Sequence, residues 1–307
     1  MQRYLLMRGG QSLITLLGVS IIIFTLARLS GNPLDVLVPE ESSPEVVERI
    51  SKLWGLDKPI YEQYIVFASN AVRGNFGDSI KWQGQKAMDL VLARFPATLQ
   101  LASLALVVAI GLSVPIGVMS AYRKGGLIDT FGKMIALLGQ SAPSFWIAIV
   151  FIWVFAVNLR WFPTSGRGET WVNMVLPAVA LGWFPVASFM RLIRSAMLTS
   201  LDSEYVKLAR AKGLPEWKVV WKHALKNASI PPITFFGIVV ARLLTGSVAV
   251  ETVFAWPGVG LLALEAVNAR DYQVVQATVM IVSGIFIFMN LLVDIAYAYL
   301  DPRVRFD

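Results

Sequence analysis

Six stretches of this chain are apolar over lengths that a soluble fold has no use for. They fall near 11–29, 97–121, 131–157, 173–192, 231–250 and 274–300. A bilayer core about 30 Å thick takes roughly 20 apolar residues per helical crossing. Hydrocarbon offers backbone amides no partner, so each crossing must close its own hydrogen bonds, as a helix does. Charged residues supply only 15% of the 307 positions, against about a quarter in soluble domains. The pattern specifies an all-α membrane protein with six transmembrane helices. Arg3 and Arg8 ahead of the run Leu13 to Leu26 imitate a secretory signal. The following "LARLSGNP" offers no small-x-small cleavage site, so the first segment is read as an uncleaved span.

Charge then orients the bundle, because Lys and Arg concentrate in cytoplasmic loops. Residues 1–10, 122–133, 191–226 and 301–307 carry fifteen basic and six acidic groups. The alternate segments 32–96, 158–172 and 251–273 carry ten basic and thirteen acidic. Both termini are therefore expected in the cytoplasm, and the formal charge of +7 is explained by topology. It forms no single aromatic-studded basic face, so nucleic acid is not an expected partner. There is no cysteine and one histidine, His223, which excludes thiol chemistry and a multi-histidine metal cluster. No phosphate-binding G-x-x-x-x-G-K-[ST] loop and no serine-hydrolase elbow occurs. If ATP is used, another chain hydrolyses it.

Three regions follow: 1–30 with the first span, 31–96 as an external helical insertion, and 97–307 as a five-helix core carrying a polar loop at 191–230. In the insertion, Ser43 and Pro44 open a helix with Val46, Val47, Ile50, Leu53 and Trp54 on one face and Gly55 as its stop. A second helix runs from Pro59 to about Arg73, with Ile60, Tyr64, Phe67 and Ala71 together and Gly74 at its end. The insertion could dock a partner or cover the bundle.

Eight Lys and Arg lie between 191 and 226, in a loop too polar to span and too regular to be a linker. Asp202 or Ser203 can cap a helix with Tyr205, Leu208 and Ala209 on one face, ended by Gly213 in a left-handed turn. A second helix starts at Pro215, with Trp217, Val220, Trp221, Ala224 and Leu225 at helical spacing opposite a ridge of Lys218, Lys222 and Lys226. That helix suits the lipid surface, where each lysine contributes about 1 kcal/mol. The first helix and its turn suit a protein: Ala209, Ala211 and Gly213 permit close approach, and Arg210 and Lys212 bring donors.

"EYVKLARAKG" (204–213) followed by "HALKNASIPP" (223–232) resembles the EAA loop of permease subunits in binding-protein-dependent ABC importers, in the form found in dipeptide and oligopeptide systems. "GLDKPIYEQY" (55–64), "RGNFGDS" (73–79), "WPGVG" (256–260), "RDYQVVQA" (270–277) and "DPRVRF" (301–306) extend the resemblance over essentially the whole chain. The general loop pattern has a glutamate six residues before the glycine and a proline thirteen after it; Lys207 and Lys226 stand there, so the glutamate's role does not transfer.

The resemblance implies a type I importer permease in the bacterial inner membrane. Its implied partners are a second permease, one or two ATP-binding subunits and an extracytoplasmic substrate-binding protein, besides membrane lipid. No cofactor would be bound by this chain; ATP and Mg would sit on partners. Glu204, Tyr205, Lys207, Ala209, Arg210, Ala211, Lys212 and Gly213 would form the coupling helix and turn that an ATPase grips. Nickel complexes, glutathione or sugars are alternative cargoes of this importer class, and a homo-oligomeric channel is a different reading.

A translocation path is sought where polar groups enter the spans. "GQSAPS" (139–144) puts Gln140, Ser141 and Ser144 beside helix-weakening Gly139 and Pro143. The fourth span carries Pro177 and Pro185. Arg242, about eleven residues into the fifth, is read near the midplane and facing inward, either towards a peptide carboxylate or paired with a neighbouring helix. Asp294 is expected in a local ion pair, and "WPGVG" as a tight turn bent at Pro257 and Gly258.

Overall fold

The structure, a computed structural model, describes residues 2–29, 34, 38, 42–168 and 170–300. The "DPRVRF" motif lies outside them. Every regular element among the described residues is a helix, apart from an isolated β-bridge between Asp78 and Lys86. The helices are α1 (Gln2–Leu29), α2 (Pro44–Leu53), α3 (Ile60–Val72), α4 (Ala87–Tyr122), α5 (Leu127–Ser141) and α6 (Ser144–Asn158). Then come α7 (Val172–Leu201), α8 (Glu204–Ala211), α9 (Glu216–Ala228), α10 (Ile230–Leu244), α11 (Val248–Val253), α12 (Val259–Asn268) and α13 (Tyr272–Leu300).

Among the described residues four helices are long and apolar enough to cross a membrane alone: α1, α4, α7 and α13. Two bent pairs bring the number to six, α5 with α6 at 113° and α9 with α10 at 57°. The third and fifth apolar segments are thus not the continuous helices expected from their composition. At the first break Pro143 has no N–H and forces Ala142 into extended backbone, φ −92° and ψ 128°. Gly139 and Pro143 mark this point as weak in helix, but composition does not give the size of the bend. The fifth segment stops at Leu244, before Gly246 at φ +79°, and resumes in α11. Arg242 consequently occupies the last turn of α10, which ends at Leu244. There its charge faces the negative end of the helix dipole.

By contacts the chain divides into two compact units. One comprises Met1–Thr98, Leu244–Val248 and Pro257–Asp307. In it α1 packs along α13, and Arg8 reaches Asp294 at 3.4 Å, the local pair expected for that aspartate. α3 is fastened to α1 by Phe24 against Tyr64 and Phe67, with ring centroids 5.5 and 5.6 Å apart. The Ser20 hydroxyl donates to the Leu17 carbonyl, so at 2.9 Å the Tyr64 phenol donates to Ser20. α2 keeps its Ser43 start and its Gly55 stop at φ +64°, but the Ser43 hydroxyl makes no cap bond and no residue of α2 is buried. Buried Asp271, just before α13, accepts from the Ser79 hydroxyl at 2.5 Å and from the Ile80 and Lys81 amides at 3.0 Å. It ties the segment after α3 to the start of α13. Phe76, Leu90, Val91, Leu262 and Val274 fill the core beside it.

The other unit comprises Leu99–Leu243 and Ala249–Trp256. Its pillar is α7, whose apolar window is 50% buried, where that of α13 is 6% buried. Both arms of the broken pair, α5 and α6, pack on α7. The approach is close: a Cβ on Gly139 would stand 2.4 Å from that of Ala187, and one on Gly182 would stand 2.9 Å from the Ala105 carbonyl oxygen of α4. Small residues at helix crossings are what dense packing in lipid requires. Ile147, Leu176, Ala180, Val250 and Phe254 form its core. Trp256 is fully buried, and the left-handed residue of its turn is Ala255 at φ +48°, whereas Gly258, at φ −99°, merely opens α12.

Candidate functional site

The polar loop folds as a helical hairpin at the end of α7. Ser203 takes the N-cap position of α8, and its carbonyl accepts the amides of Val206 and Lys207 at 3.1 Å each. Its hydroxyl turns back to the Ser200 carbonyl instead of capping. At the other end Gly213, φ +73°, lets its own amide reach Arg210 O at 2.9 Å and the Leu214 amide reach Ala209 O at 3.3 Å, and these bonds close the helix. Pro215 then starts α9.

A hydroxyl relay roots the hairpin in α7. Ser200 Oγ donates to the Ala224 carbonyl at 2.8 Å, so its one proton is spent. The Tyr205 phenol, 2.5 Å away, is therefore the donor to Ser200. Tyr205 thus acts through α7 and α9 at once.

The buried face differs from the one expected. Val206 and Ala209 are buried in α8, while Leu208 is 56% exposed. In α9 the buried residues are Val219, Val220, Ala224 and Ala228, while Trp217 is 64% exposed. The cause is a π-helical turn, Val219–Ala224, followed by an i→i+5 bond from the Leu225 amide to Val220 O. Widening the turn rotates the face, bringing Val219 inward and leaving Trp217 and Trp221 outward.

Arg210 spans the turn to Glu216 at 2.8 Å, and Lys207 holds Glu204 at 2.9 Å. That carboxylate raises the pKa of the Lys207 ammonium by hydrogen bonding, keeping it charged. Ala209 is turned inward and so is unavailable as a small outward contact. Arg210, Ala211, Lys212 and Gly213 form the exposed tip. A Cβ built on Gly213 would meet no atom within 4 Å. The hairpin thus presents a short, rigid, cationic tip on a buried apolar root.

Two turns before the hairpin lies a cluster that the sequence reading passed over. Asp129, fully buried in the first turn of α5, takes Arg194 of α7 on both oxygens, at 2.6 and 3.2 Å. Ser120 of α4 donates at 2.7 Å, Lys133 at 2.8 Å and the Gly125 amide at 2.9 Å. One carboxylate therefore joins three helices. The available signal was a lone acid four residues before Lys133, in a segment counted simply as a charged loop.

Of the sequence-predicted path residues, Gln140, Ser141 and Ser144 cluster at the α5/α6 break. The Ser141 hydroxyl bonds back to Leu137 O at 2.9 Å. Gln140 borders a 320 Å³ cavity with Arg191, Arg194 and Lys133, and its Nε2 is buried with no partner among the described residues. Arg242 is not among the residues lining that cavity. Its guanidinium lies 5.2 Å above the Phe184 ring.

Long apolar helices, a proline-broken pair and a rooted polar hairpin define a multi-pass inner-membrane protein of the transport-permease class. Residues 113–306 match the family described as binding-protein-dependent transport system inner membrane component, and residues 1–102 match the N-terminal region of such components. The chain belongs to this family. It is 38% identical to the dipeptide transport system permease protein DppB of Lactococcus lactis, over 99% of this chain and 100% of that one. It is 36% identical to the oligopeptide transport system permease protein AppB of Bacillus subtilis, over the full length of both. A di/tripeptide transport system permease protein of Pseudomonas aeruginosa is also 36% identical, over 99% of each chain.

Proposed function

We propose that this chain is one of two permease subunits of an ATP-driven importer of di- and oligopeptides, with both termini in the cytoplasm. Peptide cargo is suggested by the names of the relatives. The subunit is non-catalytic and binds no cofactor; ATP and Mg belong to separate ATPase subunits, and an extracytoplasmic binding protein delivers cargo. Gln140, Ser141 and Ser144 border the path, and Arg242 braces α10 against α7. To turn an inward-open majority of 99:1 into 1:99, the ATPases must favour one state by about 5.5 kcal/mol. That energy has to enter through something stiff.

The exposed Gly213 turn on its buried root is the observation that carries this reading. Alanine at Gly213 adds left-handed strain of about 1 kcal/mol but no clash within the chain. Tryptophan adds the same strain and a large side chain beyond it. Peptide uptake and peptide-stimulated ATP hydrolysis, measured in the reconstituted assembly, separate the two causes. Gly213→Ala is expected to retain most uptake, and Gly213→Trp to lose uptake while the chain still inserts. Full uptake by the tryptophan variant refutes docking at this turn.

A further inference from the structure

We propose that a cavity of about 430 Å³ within the first unit holds the headgroup of an anionic, hydroxyl-bearing phospholipid. Its volume suits a small ligand. Arg28, Lys52 and Lys58 line it, and no carboxylate does among the described residues. Four of the residues that line it carry a buried polar atom with no partner among the described residues: Arg28 Nε, Gln63 Oε1, Tyr272 OH and Gln273 Oε1. Tyr272 itself is only 8% exposed. Orphaned polar groups beside a cavity call for a ligand that completes them.

The orphans define that ligand chemically. Arg28 Nε and the Tyr272 hydroxyl are donors and ask for an oxyanion; the two glutamine oxygens are acceptors and ask for O–H or N–H groups. A phosphodiester bearing a glycerol headgroup supplies both, and its single negative charge answers Arg28 and Lys58, Lys52 being paired with Glu48 at 2.6 Å. Position selects lipid over a free anion. Arg28 is the penultimate residue of the apolar window Met7–Leu29, and Tyr272 is the first residue of Tyr272–Ile295. The cavity therefore sits where two spans leave the hydrocarbon, at headgroup depth. Phe24 and Trp54 supply aromatic walls, as is usual at that level.

Tyr272→Phe is the sharpest variant, because the hydroxyl it removes has no hydrogen-bond partner among the described residues. Arg28→Gln removes the charge. The purified whole assembly, delipidated and returned to nanodiscs of phosphatidylglycerol, phosphatidylethanolamine or phosphatidylcholine, is assayed for retained lipid by native mass spectrometry. The wild type is expected to retain phosphatidylglycerol preferentially. Retention should fall at least tenfold in Arg28→Gln and severalfold in Tyr272→Phe, at unchanged melting temperature for the latter. Equal retention in wild type and both variants overturns the proposal. So does displacement by millimolar inorganic phosphate or a free dipeptide, which would make the cavity a soluble-anion site.

Discussion

Replacing Arg194 by methionine removes both of its bonds to Asp129 but keeps the aliphatic length that packs along α7. The carboxylate stays fully buried, with Ser120, Lys133 and the Gly125 amide still bonded to it. Stripping one partner from a buried ion pair costs about 3–5 kcal/mol when nothing else compensates. Three remaining donors bring the expected loss to about 2–3 kcal/mol, the scale of a lost charged hydrogen bond. At roughly 2 °C per kcal/mol for a chain of this size, the melting temperature of the solubilised assembly should fall by about 4–6 °C. Asp129→Asn should cost a similar amount, and the two changes together should cost less than their sum by about 2 kcal/mol in a double-mutant cycle. Additive losses, or an Arg194→Met shift below about 1 °C, would refute the fastening of α4, α5 and α7 through this carboxylate.

Ser200→Ala leaves the buried Ala224 carbonyl without its donor, and should loosen the hairpin by about 1–2 kcal/mol, read as faster amide exchange across 203–224. Lys207→Gln breaks only an exposed pair; no change in melting temperature is expected, and any change in ATPase affinity then reports docking directly. Gly139→Leu drives a side chain into Ala187, 2.4 Å from its first carbon, and should abolish recovery of folded protein in a fluorescence size-exclusion assay.

Apolar length was enough to find the crossings, because the bilayer demands it whatever the tertiary packing. It could not fix the geometry at the breaks: Gly139 and Pro143 marked a weak point in the third segment but not a bend of 113°, and "LTGSV" ends α10 inside an apolar segment. The Gly213 turn was legible, since a glycine between a periodic helix and a proline has few other uses. The burial of Val219 in place of Trp217 was not, because a π turn changes the period on which any helical face is drawn. Asp129 was missed for a related reason: counting charges by segment discards which of them has been taken out of water.

α7 touches both arms of the broken pair, one on each side of a 113° bend, and ends in the hairpin. A displacement arriving at its foot cannot be absorbed by one arm and spared the other. Both limbs of the elbow rest on that one helix, so a substitution along its length is felt on either side of the corner.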